Sequence, residues 1–295
     1  MIKVGVYGQY YTEEAISYIE ILLNTLAEKD IEVFIEEKFY DLIKVNNFPK
    51  KEYLTFNSYK DLDASFDVMF TVGGDGTFLR AVTYVRDLNI PVLGINIGRL
   101  GFLATVQKEN ISEAIDLLIA KQYKINERTL LTVSTNQLNK DLSDINFALN
   151  EIAVSRRNTT SMITVETYLN NEHLTSYWAD GLIVATPTGS TGYSLSCGGP
   201  VIAPSTKSFA LTPIAPHNLN ARPLVIPDNI KIKLKVVARE KQALLSLDSR
   251  TIIIDNNTEI LIEKASFTLK TIQLNQQTFF KTLREKLLWG EDKRN

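Results

Sequence analysis

The sequence predicts an α/β domain with a parallel sheet, followed by a mainly antiparallel β domain. Over the first hundred or so residues, short apolar runs alternate with helical patterns, which is typical of parallel strands joined by crossover helices. From about Tyr123 the chain becomes a series of short β-rich runs separated by turn residues. Its length, 295 residues, fits two domains of about 150 residues each. We place the α/β domain at residues 1–124 and the β-rich domain at 125–275, with 276–295 forming a helix that packs back on the first domain.

Strand and helix signals alternate through the α/β domain. Apolar runs predict strands at residues 2–7, 31–37, 66–72 and 90–96. Helical spacing predicts a first helix that Thr12 caps and that reaches about Glu28, and further helices at 77–88 and 111–121. The stretch from Asn46 to Lys60 is polar and carries no predicted element.

The second half is dominated by strand signals. Predicted strands lie at residues 130–135, 147–155, 162–170, 230–237, 243–247, 251–255, 259–264 and 267–274. The run IKIKLKV alternates strictly, so it predicts an antiparallel strand with one apolar face and one solvated, lysine-bearing face. Helical spacing returns at residues 278–290.

Charge and composition exclude several classes of function. The 32 basic and 34 acidic residues give a net charge of −2, which cannot drive nonspecific binding to nucleic acid or to an anionic membrane. No run approaches the eighteen or so apolar residues of a membrane span. One cysteine, Cys197, cannot form an internal disulfide, and no secretion signal opens the sequence, so we expect a cytoplasmic protein. His173 and His217 cannot build a zinc site with it, so any metal would have oxygen ligands.

A glycine-rich loop, GGDGT at residues 73–77, lies between a predicted strand and a predicted helix. Its glycines allow backbone N–H groups to approach a phosphate at the helix N-terminus. Asp75 would repel that phosphate unless it meets a divalent cation or takes a proton from an attacking hydroxyl group, so it is a candidate general base. The alternative is that Asp75 and Gly76 form a tight turn that caps the helix.

Two further segments carry polar groups next to predicted strands. In NIGRLGF, residues 96–102, Arg99 could neutralise a phosphate and Phe102 could stack on a base, or Phe102 could belong to the core. Asn150 and Glu151 interrupt an apolar strand, so one of the two should point inward. That pair indicates recognition of hydroxyl groups or a base edge, or else a strand end at a bulge.

The segment from Trp178 to Pro200 has a high density of Ser, Thr and Gly residues around one apolar strand. Such a composition suits a site that binds a ribose and phosphates through short hydrogen bonds, with Tyr193 offering an aromatic face. The TGSTG sequence within it is not the GxSxG motif of a serine nucleophile. Cys197 has no adjacent cation or histidine in sequence, which favours a small buried thiol.

Taken together, these segments resemble the NAD kinase family, whose members phosphorylate the 2′-hydroxyl group of the adenosine ribose of NAD to make NADP. The resemblance also includes TPIAPHNLNARPLVIP at residues 212–227 and the C-terminal LREKLLWG, so it covers nearly the whole chain. GGDGT alone is shared with diacylglycerol and sphingosine kinases, so the other motifs make the assignment.

The resemblance implies a Rossmann-like nucleotide-binding domain, a β-rich NAD-binding domain and an active site in the crevice between them. It implies ATP as phosphoryl donor, a divalent cation such as Mg²⁺ without assigned protein ligands, and a homodimer or homotetramer in which a neighbouring subunit helps complete the NAD site. Asp75 resembles the general base. The phosphate-donor loop would comprise Gly73, Gly74, Gly76 and Thr77. The NAD-binding residues would be Asp75, Gly76, Arg80, Phe102, Asn150, Glu151, Asp180, Thr191, Gly192, Tyr193, Ser194, Leu195, Ser196, Ala215 and Arg250.

Within that set, Tyr193 and Ser196 are expected to hold the adenine half of NAD, and Glu151 is expected to lie near the reacting ribose as a charged carboxylate. Two residues depart from the family pattern: Gly192 stands where many relatives carry Ala, and Arg250 where an uncharged Gln is common. Two rival hypotheses remain, a lipid kinase of the diacylglycerol kinase type, with an apolar acceptor groove, and a non-catalytic dinucleotide sensor.

Overall fold

The computed structural model describes residues 2–9, 13–45, 51–136, 142, 144–158, 161–239, 241–274 and 277–289. The chain divides into two compact units. The first, here the α/β unit, comprises Met1–Glu127 and Leu269–Asn295, and the second, here the β unit, comprises Arg128–Thr268. The boundaries at 124 and 275 stay predictions. Thr12, the predicted cap of the first helix, lies outside the described residues, as do residues 46–50 and 290–295.

Parallel strands joined by helices form the α/β unit. Its strands are β1 (Lys3–Gly8), β2 (Glu32–Glu36), β3 (Leu54–Phe56), β4 (Val68–Val72), β5 (Val92–Asn96) and β6 (Val106–Gln107). Its helices are α1 (Glu13–Glu28), α2 (Glu37–Lys44), α3 (Asp75–Val85), α4 (Ile111–Ile119) and the C-terminal α5 (Phe279–Leu287). Because α5 belongs to this unit, the predicted return of the C-terminal helix to the first half is confirmed.

The strand order in this unit is β5-β4-β1-β2-β3, and every pairing in that order is parallel. The central strands are buried along almost their whole length, which explains why they appear in the sequence as continuous apolar runs. Parallel strands present their carboxyl ends at one edge of a sheet. The GGDGT loop follows β4 and the NIGRLGF loop follows β5, so both segments lie at that edge.

Three elements of the α/β unit differ from the prediction: α2, β3 and β6, a strand of only two residues. Helix α2 was not predicted, because its eight residues follow β2 without a turn and Glu37 was included in the strand. The Glu36 carboxylate caps α2 by accepting a hydrogen bond from the Phe39 N–H at 2.8 Å, and Phe39 packs into the core. The three-residue edge strand β3 lies in the stretch interpreted as polar, and its pairing with β2 defines it.

The β unit contains two antiparallel sheets. Its strands are β8 (Phe147–Ala148), β9 (Glu151–Arg156), β10 (Ile163–Leu169), β11 (Glu172–Ala179), β12 (Gly181–Ala185), β13 (Ser208–Ile214), β14 (Leu224–Pro227), β15 (Ile232–Ala238), β16 (Gln242–Leu247) and β17 (Arg250–Asp255). Strand β7 (Tyr123–Thr135) continues into this unit, and β18 (Glu259–Leu274) leaves it. A single helical turn spans Tyr193–Ser196.

One sheet has the order β14-β13-β12-β9-β16-β17, and the other includes β11-β10-β15-β18 with β7 and β8. Apolar side chains of both sheets form one core, with Val154 and Leu182 from the first and Val165 and Leu234 from the second. Strand β15 alternates between buried and partly exposed residues, so the interpretation of IKIKLKV is confirmed. The two runs predicted at 259–264 and 267–274 form the single strand β18.

None of the helices in the described ranges has the length and apolar composition needed to cross a membrane.

Candidate active site

The GGDGT loop connects β4 to α3 as predicted. Gly73 has a φ of +151°, a conformation that side-chain-bearing residues rarely adopt, and its N–H bonds the carbonyl of Ile95 at 2.9 Å. Gly74 is the N-cap of α3 and provides no side chain to satisfy the first N–H groups of the helix. Gly74 and Gly76 are exposed, whereas Thr77 is buried. The loop therefore presents the open N-terminus of a helix, which suits a phosphate.

Asp75, the first residue of α3, is held by three successive backbone N–H groups of the NIGRLGF loop and its continuation. Phe102 donates to Oδ2 at 2.8 Å, while Leu103 and Ala104 each donate to Oδ1 at 3.0 Å. The carboxylate thus anchors the neighbouring loop instead of capping its own helix. A carboxylate has about four lone-pair sites, so one site on Oδ2 remains for a further donor.

The anchored loop is also organised from within by Asn96. Its side chain accepts a hydrogen bond from the Gly98 N–H at 2.7 Å and donates to the carbonyl of Arg99 at 2.6 Å. The Phe102 ring is partly buried and lies 6.3 Å from the ring of Phe279 in α5. Arg99 and, in α3, Arg80 are exposed. No pattern in the sequence indicated the role of Asn96.

In the β unit, Asn150 and Glu151 lie where the chain passes from β8 to β9. Both side chains are buried, and neither Asn150 Oδ1 nor Glu151 Oε2 has a hydrogen-bond partner among the described residues. Buried polar atoms are rarely left unpaired, so two such oxygens side by side indicate a site for a ligand with hydrogen-bond donors. The strand end predicted as the alternative is present, because β9 begins at Glu151, and recognition of a ligand by this pair stays a prediction.

The carboxyl group of Glu151 is difficult to ionise. Burial, with a further contribution from the nearby Asp248 carboxylate, raises its pKa to about 8, and the N–H of Tyr193 opposes the shift. In this structure Glu151 is therefore mostly protonated at neutral pH, whereas the sequence-based expectation assumed a charged carboxylate.

Several hydroxyl groups of the segment from Trp178 to Pro200 form hydrogen bonds within the protein. Thr186 Oγ1 donates to the carbonyl of Leu149 at 2.6 Å, Ser190 Oγ donates to that of Pro187 at 2.7 Å, and Ser194 Oγ lies 2.8 Å from Thr212 Oγ1. All are buried contacts. The density of hydroxyl groups that suggested a ligand site thus also reflects a tightly bonded turn after β12.

Around Glu151, the turn presents a partly open surface. The Tyr193 side chain is 46% exposed and Ser196 is exposed, while Thr191, Leu195 and Cys197 are partly buried. Burial and the proximity of Glu151 raise the pKa of the Cys197 thiol, and Tyr193 opposes the shift. A Cβ added to Gly192 would lie 3.1 Å from Glu151 Oε2 and 3.2 Å from Asn150 Nδ2. The glycine thus gives these side chains more room than an alanine would.

Asp180 lies at the end of β11, where its carboxylate pairs with Arg156 of β9 at 2.9 Å. Sequence reasoning missed Arg156, because only the pairing of β9 with β12 brings it to Asp180. Ala215 is exposed and has a φ of +42°. Arg250, the predicted dinucleotide contact, donates to the carbonyls of Ile145 and Phe147.

No group of three His, Cys, Asp or Glu side chains in the described part of the chain could hold a metal ion. A divalent cation therefore has no cluster of protein ligands there, and we assign none.

Comparisons with known proteins identify the family of both halves of the chain. The model of the ATP-NAD kinase N-terminal domain matches residues 4–123, and that of the ATP-NAD kinase C-terminal domain matches residues 149–274. The chain belongs to the NAD kinase family. It is 56% identical over 293 residues to the NAD kinases of Christiangramia forsetii and of Flavobacterium psychrophilum, covering 99% of this chain and 100% of each relative.

Two solved structures are similar over almost the whole chain. Yeast NADH kinase complexed with NADH matches with a TM-score of 0.87 and 25% identity, covering 100% of this chain and 89% of that chain. An NAD kinase from Archaeoglobus fulgidus in complex with ATP matches with a TM-score of 0.76 and 27% identity, covering 97% of this chain and 99% of that chain. The predicted family and fold class are confirmed. Membership of this kinase family decides against the lipid-kinase and sensor hypotheses.

The contact between Asp75 and its loop can be disturbed from the loop side. A Cβ at Gly101 would overlap Asp75 Oδ1, so Gly101→Ala must displace the carboxylate or the loop. We expect kcat to fall at least about tenfold and the amides of 102–104 to exchange hydrogen faster, as measured by steady-state kinetics and hydrogen exchange. Gly98→Ala is the matched control, because its Cβ would lie 3.8 Å from the nearest atom, Asn96 Oδ1. Equal kinetics for the two variants would contradict the anchoring role.

The raised pKa of Glu151 predicts a pH-dependent stability. Between its ordinary value of 4.5 and about 8, the folded state keeps a proton that the unfolded state releases, so stability falls as pH rises through this range. In Glu151→Gln the side chain has no proton to release, so this pH-dependent loss of stability disappears. We expect the free energy of unfolding of the variant, relative to that of the wild type, to increase by about 1–3 kcal/mol between pH 5.5 and pH 8.5, as measured by thermal denaturation. Glu172→Gln, an exposed change on β11, should show no such growth, and an advantage of Glu151→Gln that is independent of pH would refute the raised pKa.

Proposed function

We propose that the protein transfers the γ-phosphoryl group of ATP to the 2′-hydroxyl group of the adenosine ribose of NAD, giving NADP and ADP. The observation that carries this proposal is the match of both halves of the chain to ATP-NAD kinase domains. The solved relatives named for NADH and for ATP support both substrates.

Asp75 is proposed as the general base. As the 2′-oxygen forms its bond to the γ-phosphorus, the hydroxyl proton passes to Asp75 Oδ2, and the bond from the γ-phosphorus to the bridging oxygen breaks to release ADP. Oδ2 accepts one backbone N–H and Oδ1 accepts two, so Oδ2 is the oxygen with room for the hydroxyl donor. The three N–H groups orient the carboxylate before the reaction, which is the positional help a base needs.

The phosphates of ATP are proposed to lie at the N-terminus of α3, against the loop of Gly73, Gly74, Gly76 and Thr77. The N–H groups of Gly73 and Thr77 already bond the carbonyls of Ile95 and Gly74, so Gly74 and Gly76 are the better candidates to donate to a phosphate. The open helix end supports this placement, because it offers N–H groups and the positive end of the helix dipole to an anion. We also propose that a divalent cation, Mg²⁺ by its preference for phosphate oxygens, is bound through the phosphates of ATP and supplies charge neutralisation.

The dinucleotide is proposed to use the predicted NAD-binding residues. Support is strongest for Asn150 and Glu151, whose unpaired oxygens suit the hydroxyl and amine donors of a nucleoside. The exposed ring of Tyr193 can stack on a base, and Ser196 lies within the same turn. Ser194 has the least support, since its hydroxyl group already bonds Thr212.

We further propose that the protein is cytoplasmic and forms a homodimer or homotetramer. An exposed apolar surface on the β unit supports self-association. Leu174, Trp178 and Leu224 are exposed and line one cavity there. Tryptophan is enriched in protein interfaces, and Trp178 is 46% exposed although the centroid of its ring lies 4.3 Å from that of His217, with the two planes tilted by 46°.

The proposed activity has a direct test. The purified protein should convert NAD to NADP with ATP and Mg²⁺, and mass spectrometry should find one added phosphate on the dinucleotide. The same reaction with diacylglycerol in place of NAD should give no phosphorylated lipid. Binding of NAD without turnover would refute the proposal.

Asp75→Asn separates chemistry from binding. We expect kcat to fall by about 10²–10⁴ and the calorimetric Kd for NAD to stay within about threefold, because a base acts mainly in the transition state. Since this substitution also weakens the anchor, hydrogen exchange of residues 102–104 should be measured in the same variant. A fall in kcat of less than about tenfold would assign Asp75 to anchoring alone, and wild-type turnover would exclude it as the base.

A further inference from the structure

The segment from Leu149 to Glu151 contains an interruption between two strands. Leu149 and Asn150 lie between β8, which ends at Ala148, and β9, which begins at Glu151 and pairs there with Ala185 of β12. A break of this kind leaves backbone N–H groups without a neighbouring strand, and buried N–H groups need an acceptor. The side-chain oxygens Asn150 Oδ1 and Glu151 Oε2 do not accept these N–H groups, because neither oxygen has a hydrogen-bond partner in the described residues.

Asp248, in the turn between β16 and β17, supplies the missing acceptors. Its Oδ2 accepts the N–H of Leu149 at 2.9 Å, and its Oδ1 accepts those of Asn150 at 2.8 Å and Glu151 at 3.2 Å. The Asp248 N–H in turn donates to the carbonyl of Glu151 at 3.0 Å. Asp248 adopts a φ of +52°, so the tight turn itself directs both its side chain and its N–H at the segment.

The carbonyl groups of the same segment are bonded from the other side. Thr186 Oγ1 donates to the carbonyl of Leu149, and the Thr186 N–H donates to that of Asn150 at 2.8 Å. Gly189 packs so closely that an added Cβ would overlap the Asn150 carbonyl oxygen. The backbone of this segment is therefore bonded on both sides, through its N–H groups to Asp248 and through the carbonyls of Leu149 and Asn150 to Thr186.

We propose that Asp248 is a positioning residue for dinucleotide binding, which holds the backbone of residues 149–151 so that the Asn150 and Glu151 side chains are fixed in their binding geometry. The inference rests on the proposed function. Asp248 acts through its neighbours and needs no contact with the substrate. Arg250 partly balances its charge, because its guanidinium group attracts the Asp248 carboxylate while bonding the carbonyls of Ile145 and Phe147.

Asp248 also acts on Glu151 through its charge, which gives the proposal a second measurable consequence. The groups that face Glu151 are Asp248 from the β16–β17 turn and Tyr193 and Cys197 from the turn after β12. Of these, the Asp248 carboxylate raises the pKa of Glu151, and the pKa of the Asp248 carboxyl is itself raised by its burial. Removing the carboxylate should therefore shift the titration of Glu151 to lower pH.

The test compares Asp248→Asn with the wild type by calorimetric titration of NAD and of NADP from pH 6 to pH 9. An asparagine keeps one acceptor oxygen but turns an NH₂ group towards a backbone donor. We expect the Kd for NAD to rise at least about tenfold, while the KM for ATP stays within about twofold. The ratio of NADP to NAD affinity should fall as Glu151 ionises, because its charge opposes the new phosphate. The midpoint of that fall should lie at lower pH in the variant.

Asp228→Asn is the matched control. Asp228 is also a buried aspartate of the β unit, and it pairs with Lys264 at 2.5 Å, away from the 149–151 segment. The control should lower the melting temperature but leave the Kd for NAD within about twofold. If Asp248→Asn behaves as Asp228→Asn does, or weakens NAD and ATP equally, Asp248 is only structural and the proposal is overturned.

A second variant decides the matter if Asp248→Asn does not fold. Asp248→Glu keeps the charge and both acceptor oxygens but moves them by one methylene group. It should weaken NAD binding and leave the pH midpoint near that of the wild type, and unchanged NAD affinity would overturn the proposal. A wild-type protein that binds no NAD in the same titration would instead refute the proposed function, and with it this inference.

Discussion

A carboxylate held by three successive backbone N–H groups is the interaction on which the candidate functional residues of each unit depend. In the α/β unit Asp75 holds residues 102–104, and in the β unit Asp248 holds residues 149–151. In each case the chain leaves regular pairing just where polar side chains are needed, and the carboxylate accepts the N–H groups that a neighbouring strand would otherwise take. Hydrogen bonds to a charged acceptor are stronger than neutral ones, so a short irregular segment is held firmly.

The two carboxylates differ in what else they do. Asp75 keeps a lone-pair site on Oδ2 and lies at the open end of α3, so it combines anchoring with the chemistry proposed for it. Asp248 supports Asn150 and Glu151, whose oxygens remain unpaired, and raises the pKa of Glu151. If Glu151 binds the dinucleotide as proposed, its protonated form at neutral pH would oppose a product phosphate less than its ionised form, and discrimination between NAD and NADP would depend on pH.

The elements that could be predicted are those whose burial produces a recognisable pattern of apolar residues in the sequence. The central strands β1, β4 and β5 are buried on both faces and appear as continuous apolar runs, and β15 alternates because one face is solvated. Prediction failed where two elements follow each other without a turn and where a strand has an unusual length. Helix α2 follows β2 without a turn, and β18 was divided in two because a strand of sixteen residues is far longer than usual.

The sequence by itself determined the fold class, the family and the position of the GGDGT loop, because these depend on local composition and on the order of motifs. It also marked Asn150 and Glu151, since polar residues interrupt an apolar run there. Only the tertiary structure decided that Asp75 anchors a loop 27 residues away and that Asp248 holds a segment 97 residues away. Those partners meet through strand order and turn geometry, and no local pattern in the sequence records which distant N–H group a carboxylate will accept.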